Sequence, residues 1–511
     1  MIFVNASSRN TLKAFQPFLP VIVPLGIGTL VSVLLEAGCT AEIIDEQVEE
    51  NTLQVIADLV KRLNPPFIFG FSVLTANLNR SLELAKIIKQ LYPQSVVVFG
   101  GVHPSAMPDE MLDFLQVDYV VRGEADHVIV NLYRALKSGK DLHSLANLSY
   151  RLNGQIVHNP KSLESVDVNN LPSFPYHLFK SPKYDLEFVM ASRGCPYDCI
   201  FCSNRVVTGK KYRFRDPRKV VDDLEMLYVK HNKRFIAFLD DNFLFDKNKL
   251  SELIAEIRLR GLNNKMTFSF QGRADHVSFD ILKELYAVGF KYIFFGIESS
   301  DDKVLRLIKK NETVADCVKA VQIAKSIGFI VSATFIFGLP GETMKTRRDC
   351  LKMTRDLQID TIRFNNATPY PGTELYEIAK REDRLNIVGI YENFNSVSTF
   401  IENPFKLTPF SYVPPGMSEA ELRRDILFSI FAFYLDVRRF RKNLARPNKD
   451  TASFSLTQTL ENVKRIPAYA LLFFYMTVKF FQLFYFMVIK KDTALSLREF
   501  LRVFSFGSKA D

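Results

Sequence analysis

Short apolar runs alternate with helix-period segments along the first 140 residues. The runs MIFVN, AEIID, FIFGFS, VVVFGG and DYVVRG have the continuous apolar character of strands buried on both faces. Between them, IGTLVSVLLEAG, LQVIADLVKRL and LNRSLELAKIIKQLYP space their apolar residues as helices do. That rhythm predicts an α/β domain over residues 1–140 with a parallel, doubly wound sheet. Ligands of such sheets sit outside the carboxyl ends of the strands, where this chain places FSVLTAN, GGVHPS and RGEAD. Gly70, Gly100, Gly101 and Gly123 fall there, where a backbone turns sharply or approaches a ligand closely, and they suit plain strand-end turns equally well.

Residues 141–184 read as a connection. LSYRL and QIVHN flank Asn153-Gly154, a favoured hairpin turn, and the proline-dotted stretch after them reads as a linker on the surface. Residues 185–385 resume the alternation with EFVMAS, RFIAFLD, MTFSFQG, YIFFGIES, FIVSATFIFG and TIRFNNAT as strands. Six strand-helix units are too few for the usual eight and predict a partial (β/α)6 barrel. Polar residues gather at the ends of those strands: Ser192 and Arg193, Asp240 and Asn242, Gln271 and Arg273, Glu298 and Ser299, Asn365 and Asn366. That rim is where barrels of this kind do chemistry.

Composition changes the picture in two ways. With 47% hydrophobic and 24% charged residues, the 511-residue chain is globular and large enough for two or three domains. Its net charge of +10 is uneven: residues 421–511 hold 16 Lys and Arg against 8 Asp and Glu, so the basic character belongs to the tail and is not read as a nucleic-acid footprint. The opening MIFVNASSRN lacks the basic start, apolar core and cleavage site of a secretory signal, so a cytoplasmic location with reduced thiols is expected.

Three of the six cysteines are clustered in SRGCPYDCIFC: Cys195, Cys199 and Cys202, in the order C-x3-C-x2-C, just after the first barrel strand. The gaps are too tight for a disulfide framework. A structural zinc site wants four ligands, and neither a histidine nor a fourth cysteine follows at a suitable distance, whereas three thiolates hold an iron-sulfur cluster with one iron left open. Cys39, Cys317 and Cys350 lie in helix-like segments and read as inert thiols.

The cysteine spacing, Phe201 before the third cysteine and the upstream strand resemble the radical S-adenosylmethionine superfamily. FLDDNF, FQGRAD, FGIESS, FIFGLPGET and NATPYPGT look like its successive strand-end segments, and VPLGIGTLVSVLLEAG, FSVLT, GGVHPS and VVRGEAD are similar to its cobalamin-binding subfamily. Roughly residues 1–380 are covered. The resemblance implies a Rossmann-like cobalamin-binding domain before the barrel. It also implies a 4Fe-4S cluster on Cys195, Cys199 and Cys202 as metal ligands and catalytic residues, whose open iron binds S-adenosyl-L-methionine for reductive cleavage to a 5′-deoxyadenosyl radical. Glu298 resembles the position that meets the adenosylmethionine amino group or ribose, Arg273 is placed to pair with its carboxylate, and Asp240 with Asn242 to face ribose or substrate. The same rim residues also suit pairing with one another. Gly338, Pro340, Gly341 and Glu342 would shape the adenine-side loop.

The Asp-x-His-x-x-Gly segment that supplies a lower cobalt ligand in many cobalamin domains is missing, so cobalt should lack a protein histidine, and His103 reads as loop packing. Ser72, Val73, Leu74 and Thr75 would lie beneath the corrin, with Gly100, Gly101, Gly123 and Glu124 around its tail. Methylation of an unactivated carbon of an apolar substrate, whether lipid, terpenoid or tetrapyrrole-like, is the first reading, with an electron donor such as flavodoxin or ferredoxin as partner. A cyclase or carbon-skeleton rearrangement without methyl transfer is the runner-up. A non-catalytic cobalamin-binding or sensory protein is the alternative of another class. A methylthiotransferase is disfavoured because the first domain holds only Cys39.

Residues 386–511 read as a helical, basic region. Its apolar run over 470–489 is long enough to span a bilayer, but Lys479 in mid-run opposes spanning. Two readings remain: a helix lying on the inner face of an anionic membrane, with Arg438, Arg439, Arg441, Lys490 and Lys491 at the headgroups and Phe473, Phe474, Phe480, Phe481 and Phe484 inserted, or a core helix packed under the barrel.

Overall fold

The computed structural model describes residues 1–8, 15–140, 142–162, 164–436 and 466–488, with side chains of the last helix described over 470–485. Arg438, Arg439, Arg441, Lys490 and Lys491 lie outside the described residues.

The first sheet is built from β1 (Ile2–Asn5), β2 (Glu42–Asp45), β3 (Ile68–Ser72), β4 (Val96–Gly100), β5 (Tyr119–Val121), β6 (Leu148–Leu152) and β7 (Gln155–His158). Their order is β2-β1-β3-β4-β5-β6-β7, parallel from β2 to β5. The strands read as apolar runs because helices cover both faces; Val4, Phe69, Phe71, Val97 and Phe99 are all buried. The hairpin forms on Asn153 and Gly154, both with positive φ as its turn requires. It is part of this sheet, since β6 pairs antiparallel with β5. The linker differs from its expected surface course: Val166, Val168, Tyr176, Phe179 and Tyr184 are buried. Its prolines keep the backbone irregular while Tyr176, Phe179 and Tyr184 pack into the barrel core, and the Tyr176 hydroxyl donates to the Phe188 carbonyl at 2.7 Å.

Six parallel strands form the partial barrel: β8 (Phe188–Val189), β11 (Phe235–Phe238), β12 (Thr267–Gly272), β13 (Phe290–Glu298), β14 (Ile330–Phe337) and β15 (Thr361–Asn366), side by side in that order. β9 (Ser192–Arg193) and β10 (Arg213–Phe214) form a short antiparallel pair at the rim. The chain has 45 Phe and no Trp. Many of these phenylalanines fill the barrel: the Phe290 ring lies 4.8 to 5.6 Å from the rings of Phe238, Phe243, Phe268 and Phe270.

Beyond the barrel, the helix Glu419–Tyr434 opens on a capping box in which Ser418 and Glu421 satisfy each other's backbone N–H. Almost every residue of it is buried, because it lies among β15, the helix Met344–Asp356 and the last described helix, Ile466–Val488. The Arg347 guanidinium pairs with Asp425 at 2.7 Å and the Tyr434 hydroxyl donates to Ile362 at 2.9 Å.

Because Phe290 stands at the centre of the aromatic cluster, Phe290→Ala is expected to cost about 3–5 kcal/mol. Urea unfolding should show a lower midpoint with an unchanged slope; a loss below about 1 kcal/mol would mean that the site collapses around the truncation.

Candidate active site

The strand ends of the two sheets face one another. Outside the carboxyl ends of β3, β4 and β5 lies a cavity of about 270 Å³ whose far wall comes from the barrel side through Met190, Arg193, Val207 and Thr208. Ser72, Leu74, Gly100, Gly101, Gly123 and Glu124 line it. Val73 and Thr75 do not, because successive side chains of an extended backbone point to opposite sides; Val73 is buried and Thr75 turns to His103 at 3.1 Å. Leu25, Thr29 and Leu30 of the helix Leu25–Glu36 complete the apolar wall. An apolar helix face carries no sequence signal that tells a cavity wall from a core.

The glycines show why side chains are missing there. Gly101 has φ +101°, and a Cβ on it would sit 2.8 Å from the Val73 carbonyl oxygen and 2.9 Å from its nitrogen. Gly123 has φ +74°. Apolar walls and bare backbone at the strand ends fit a broad, flat macrocycle such as a corrin.

Glu124 stands at the cavity beside the glycines, as expected, but its carboxylate is already paired. Its two oxygens are taken by Arg193 at 3.2 Å and Arg213 at 2.6 Å. Asp126 also receives Arg193, at 3.0 and 3.1 Å. Two arginines of the rim are thereby clamped by two carboxylates of the first domain, and all four side chains are largely buried. The strand-end position of RGEAD was legible; its partners 67 to 89 residues away were not.

Arg193 is two residues from Cys195. Gly194 has φ +85°, and a Cβ on it would collide with the Lys211 carbonyl. The loop is pinned at Ile200, whose N–H donates to Ile308 at 3.1 Å and whose carbonyl accepts from Leu375 at 2.8 Å. Cys195, Cys199 and Cys202 are all half-buried and free of disulfides. Burial pushes the Cys202 thiol up to about 11 and raises the other two. Three thiolates on one short loop can each take a separate iron of one cluster.

Further around the rim, expectation and placement part. Arg273 is buried and occupied: it holds Asp275 at 3.0 and 2.9 Å, donates to the Lys310 carbonyl at 2.7 Å and lies 3.5 Å from the Tyr197 ring centroid. It braces the cysteine loop rather than presenting a free guanidinium to a carboxylate. Asp240 is likewise turned inward, accepting from the Ser192 hydroxyl at 2.5 Å and the Ala191 N–H at 3.2 Å, with its pKa pushed up to about 7 by burial.

Glu298 fits its expected part better. It ends β13 at a bulge with φ +65°, a strained value for a residue with a side chain. One carboxylate oxygen stands 3.6 Å from the buried Lys310 ammonium and the other, buried, has no hydrogen-bond partner. Burial raises its pKa. Both polar atoms of Asn242, Oε2 of Glu312 and Oδ1 of Asn365 are buried and unsatisfied in the same way. Buried polar groups are normally paired, so this set at the strand ends fits a polar ligand such as adenosylmethionine. Lys310 and Glu312, 3.5 Å apart, are not legible in the sequence, because charged residues in a post-helical loop carry no distinguishing pattern.

Residues 189–354 match the Radical SAM superfamily and residues 17–133 the B12 binding domain. An uncharacterized methyltransferase of Pyrococcus horikoshii is 33% identical over 362 residues, covering 70% of this chain and 78% of that protein. An anaerobic magnesium-protoporphyrin IX monomethyl ester cyclase of Cereibacter sphaeroides is 26% identical over 425 residues, covering 81% and 67%. Among solved structures, the cobalamin-dependent S-adenosylmethionine radical enzyme OxsB superimposes with a TM-score of 0.68 at 18% identity, covering 92% of this chain and 72% of its own.

His103 lies behind the cavity, its ring 4.8 Å from that of Tyr391 and its Nε2 buried without a partner. Burial lowers its pKa to about 4. A folded value below the unfolded one means that the neutral ring stabilises the fold above about pH 6.5 and that this contribution is lost as pH falls toward 4. Between pH 7 and 5 the loss should be about 2 kcal/mol, and His103→Gln should remove that part of the acid limb in denaturation midpoints. An unchanged limb would show that the ring titrates normally.

Proposed function

The chain belongs to the cobalamin-binding enzymes of the radical S-adenosylmethionine superfamily, whose cofactors are a 4Fe-4S cluster, S-adenosylmethionine and cobalamin, and on that premise we propose that it methylates an unactivated carbon of an apolar substrate. The observation that carries the reading is the shared wall: Arg193 lines the first-domain cavity and stands two residues before the first cysteine of the cluster loop. When bound, the cluster with adenosylmethionine supplies hydrogen abstraction from carbon, and cobalamin supplies a methyl group.

The protein's own part is positioning. In this proposal Cys195, Cys199 and Cys202 hold the cluster, and the pinned backbone at Ile200 fixes their loop. Glu298, with Asn242 and Asn365, offers unsatisfied polar atoms to the amino and ribose groups of adenosylmethionine. Glu342, whose Oε2 accepts the Gly338 N–H at 2.5 Å, shapes the turn beside them. Ser72, Leu74, Gly100, Gly101 and Gly123 form the floor and sides of the corrin seat, with Val73 and Thr75 supporting it from behind. Apolar side chains around that seat keep water from the reacting carbon. Electrons come from a reduced donor such as flavodoxin or ferredoxin.

The relationship to a cyclase supports a second reading, ring closure without methyl transfer. Product stoichiometry separates the two. With methyl-deuterated adenosylmethionine and apolar extracts of the native cells, methylation should give S-adenosylhomocysteine and 5′-deoxyadenosine in equal amounts and a methyl mass shift in one extracted compound. Turnover that yields 5′-deoxyadenosine alone would favour cyclisation.

The cluster assignment is tested by anaerobic reconstitution. Cys195→Ala, Cys199→Ala and Cys202→Ala should each reduce 5′-deoxyadenosine formation to background, whereas Cys317→Ala, on the buried face of the helix Val314–Ile327, should retain it. Four irons held by the triple alanine variant would overturn the ligand set.

A further inference from the structure

The helix Ile466–Val488 is amphipathic in the wrong sense for a helix in water. Its only charged side chain within the described stretch, Lys479, is 1% exposed and sits at the centre of the buried face. The ammonium donates to the carbonyls of Thr399 at 2.6 Å and Phe400 at 2.8 Å, and burial lowers its pKa to about 8. Leu483 is fully buried, Phe480 packs edge-on against Phe431 at 5.4 Å, and Gln482 donates to Pro404 at 2.5 Å. The opposite face carries Leu471, Phe473, Phe474, Phe481 and Phe484, with Phe473 75% and Phe481 63% exposed. Phe405, 67% exposed on the adjoining loop, extends this face, its ring 6.2 Å from that of Phe474.

Phe480 is thus part of the packing and not of the outer face, a correction to the expected inserting set. A contiguous aromatic surface of this kind is rare on a protein that faces only water. Among the described residues no helix is long and apolar enough to cross a membrane, and the inward lysine is anchored to the protein. Residues 437–465, which lead into the helix, hold eight Lys and Arg against two Asp and Glu, and residues 489–511, which leave it, hold five against three. Apolar rings with cationic segments at both ends match a bilayer interface, whose acyl region takes rings and whose anionic headgroups take the charges.

We propose that the outer face of this helix, with Phe405, docks the enzyme on an anionic lipid bilayer, lying in the interface with Phe473, Phe474, Phe481 and Phe484 inserted while Lys479 holds the inner face to the protein. The inference does not depend on which reaction the barrel performs.

The absence of tryptophan makes the test direct. In the full-length protein, Phe481→Trp introduces a single indole whose emission should be that of an exposed ring and shift to the blue when vesicles of phosphatidylcholine with phosphatidylglycerol are added, less so with phosphatidylcholine alone or in high salt. Phe431→Trp, in the core, should not respond. The combined variant Phe473→Ser, Phe474→Ser, Phe481→Ser should partition to those vesicles at least roughly tenfold more weakly, with an unchanged melting temperature. No shift and no flotation would overturn the proposal. So would a blue emission before vesicles are added, or a lower melting temperature of the serine variant, because the face would then be covered by the chain itself. A wild-type dimer that the serine variant dissociates would assign the face to a second copy and overturn it equally.

Discussion

Everything at the active site depends on one buried electrostatic lock. Arg193 and Arg213, from the strand pair at the barrel rim, are held by Glu124 and Asp126 at the sheet edge of the first domain. Taking these charges out of water is expensive, and the cost is offset only while every partner stays in place; losing one leaves an uncompensated buried charge worth several kcal/mol. Such an arrangement tolerates little sliding. Because Arg193 both walls the first cavity and precedes the cysteine loop, the lock sets the separation between that cavity and the loop of Cys195, Cys199 and Cys202.

On the barrel side, polar atoms are left deliberately unfinished. Asn242 has neither of its amide atoms satisfied, and Glu298 keeps one oxygen unpaired on a strained left-handed backbone. Unsatisfied buried groups cost about 1–3 kcal/mol each, and strain of this type a similar amount. They stand beside the buried phenylalanine core and the loop that the Arg273–Lys310 hydrogen bond ties down. On the proposed reading these groups offer their open atoms to a polar cofactor with little reorganisation on binding. Arg273, Asp240 and Glu124 show the complementary arrangement, since their polar atoms are taken by neighbouring groups.

The tail obeys a different constraint. Burying Lys479 under the helix is affordable because two backbone carbonyls receive its ammonium, and once that face is inward the aromatic residues must point out. The orientation follows from the carbonyls of Thr399 and Phe400, residues 80 and 79 positions earlier in the chain.

Local pattern alone determined both parallel sheets, the hairpin on Asn153-Gly154, the six barrel strands and the cysteine loop, because hydrophobic period, turn chemistry and thiol spacing are properties of short segments. It also placed Gly100, Gly101 and Gly123 at the strand ends, where they line a cavity, since strand ends are legible wherever strands are. What only the tertiary structure decided is which polar residues are free and which are spent. Glu298 and Asn242 keep open atoms while Arg273 and Asp240 do not, although all four lie in similar strand-end segments. Lys310, Glu312 and the partners of Glu124 come from distant stretches, and the choice of inward face for the tail helix rests on the short helix Ser398–Ile401, far from it in sequence. Partner choice is a long-range pairing of charges and hydrogen bonds, and no periodicity within a segment encodes it.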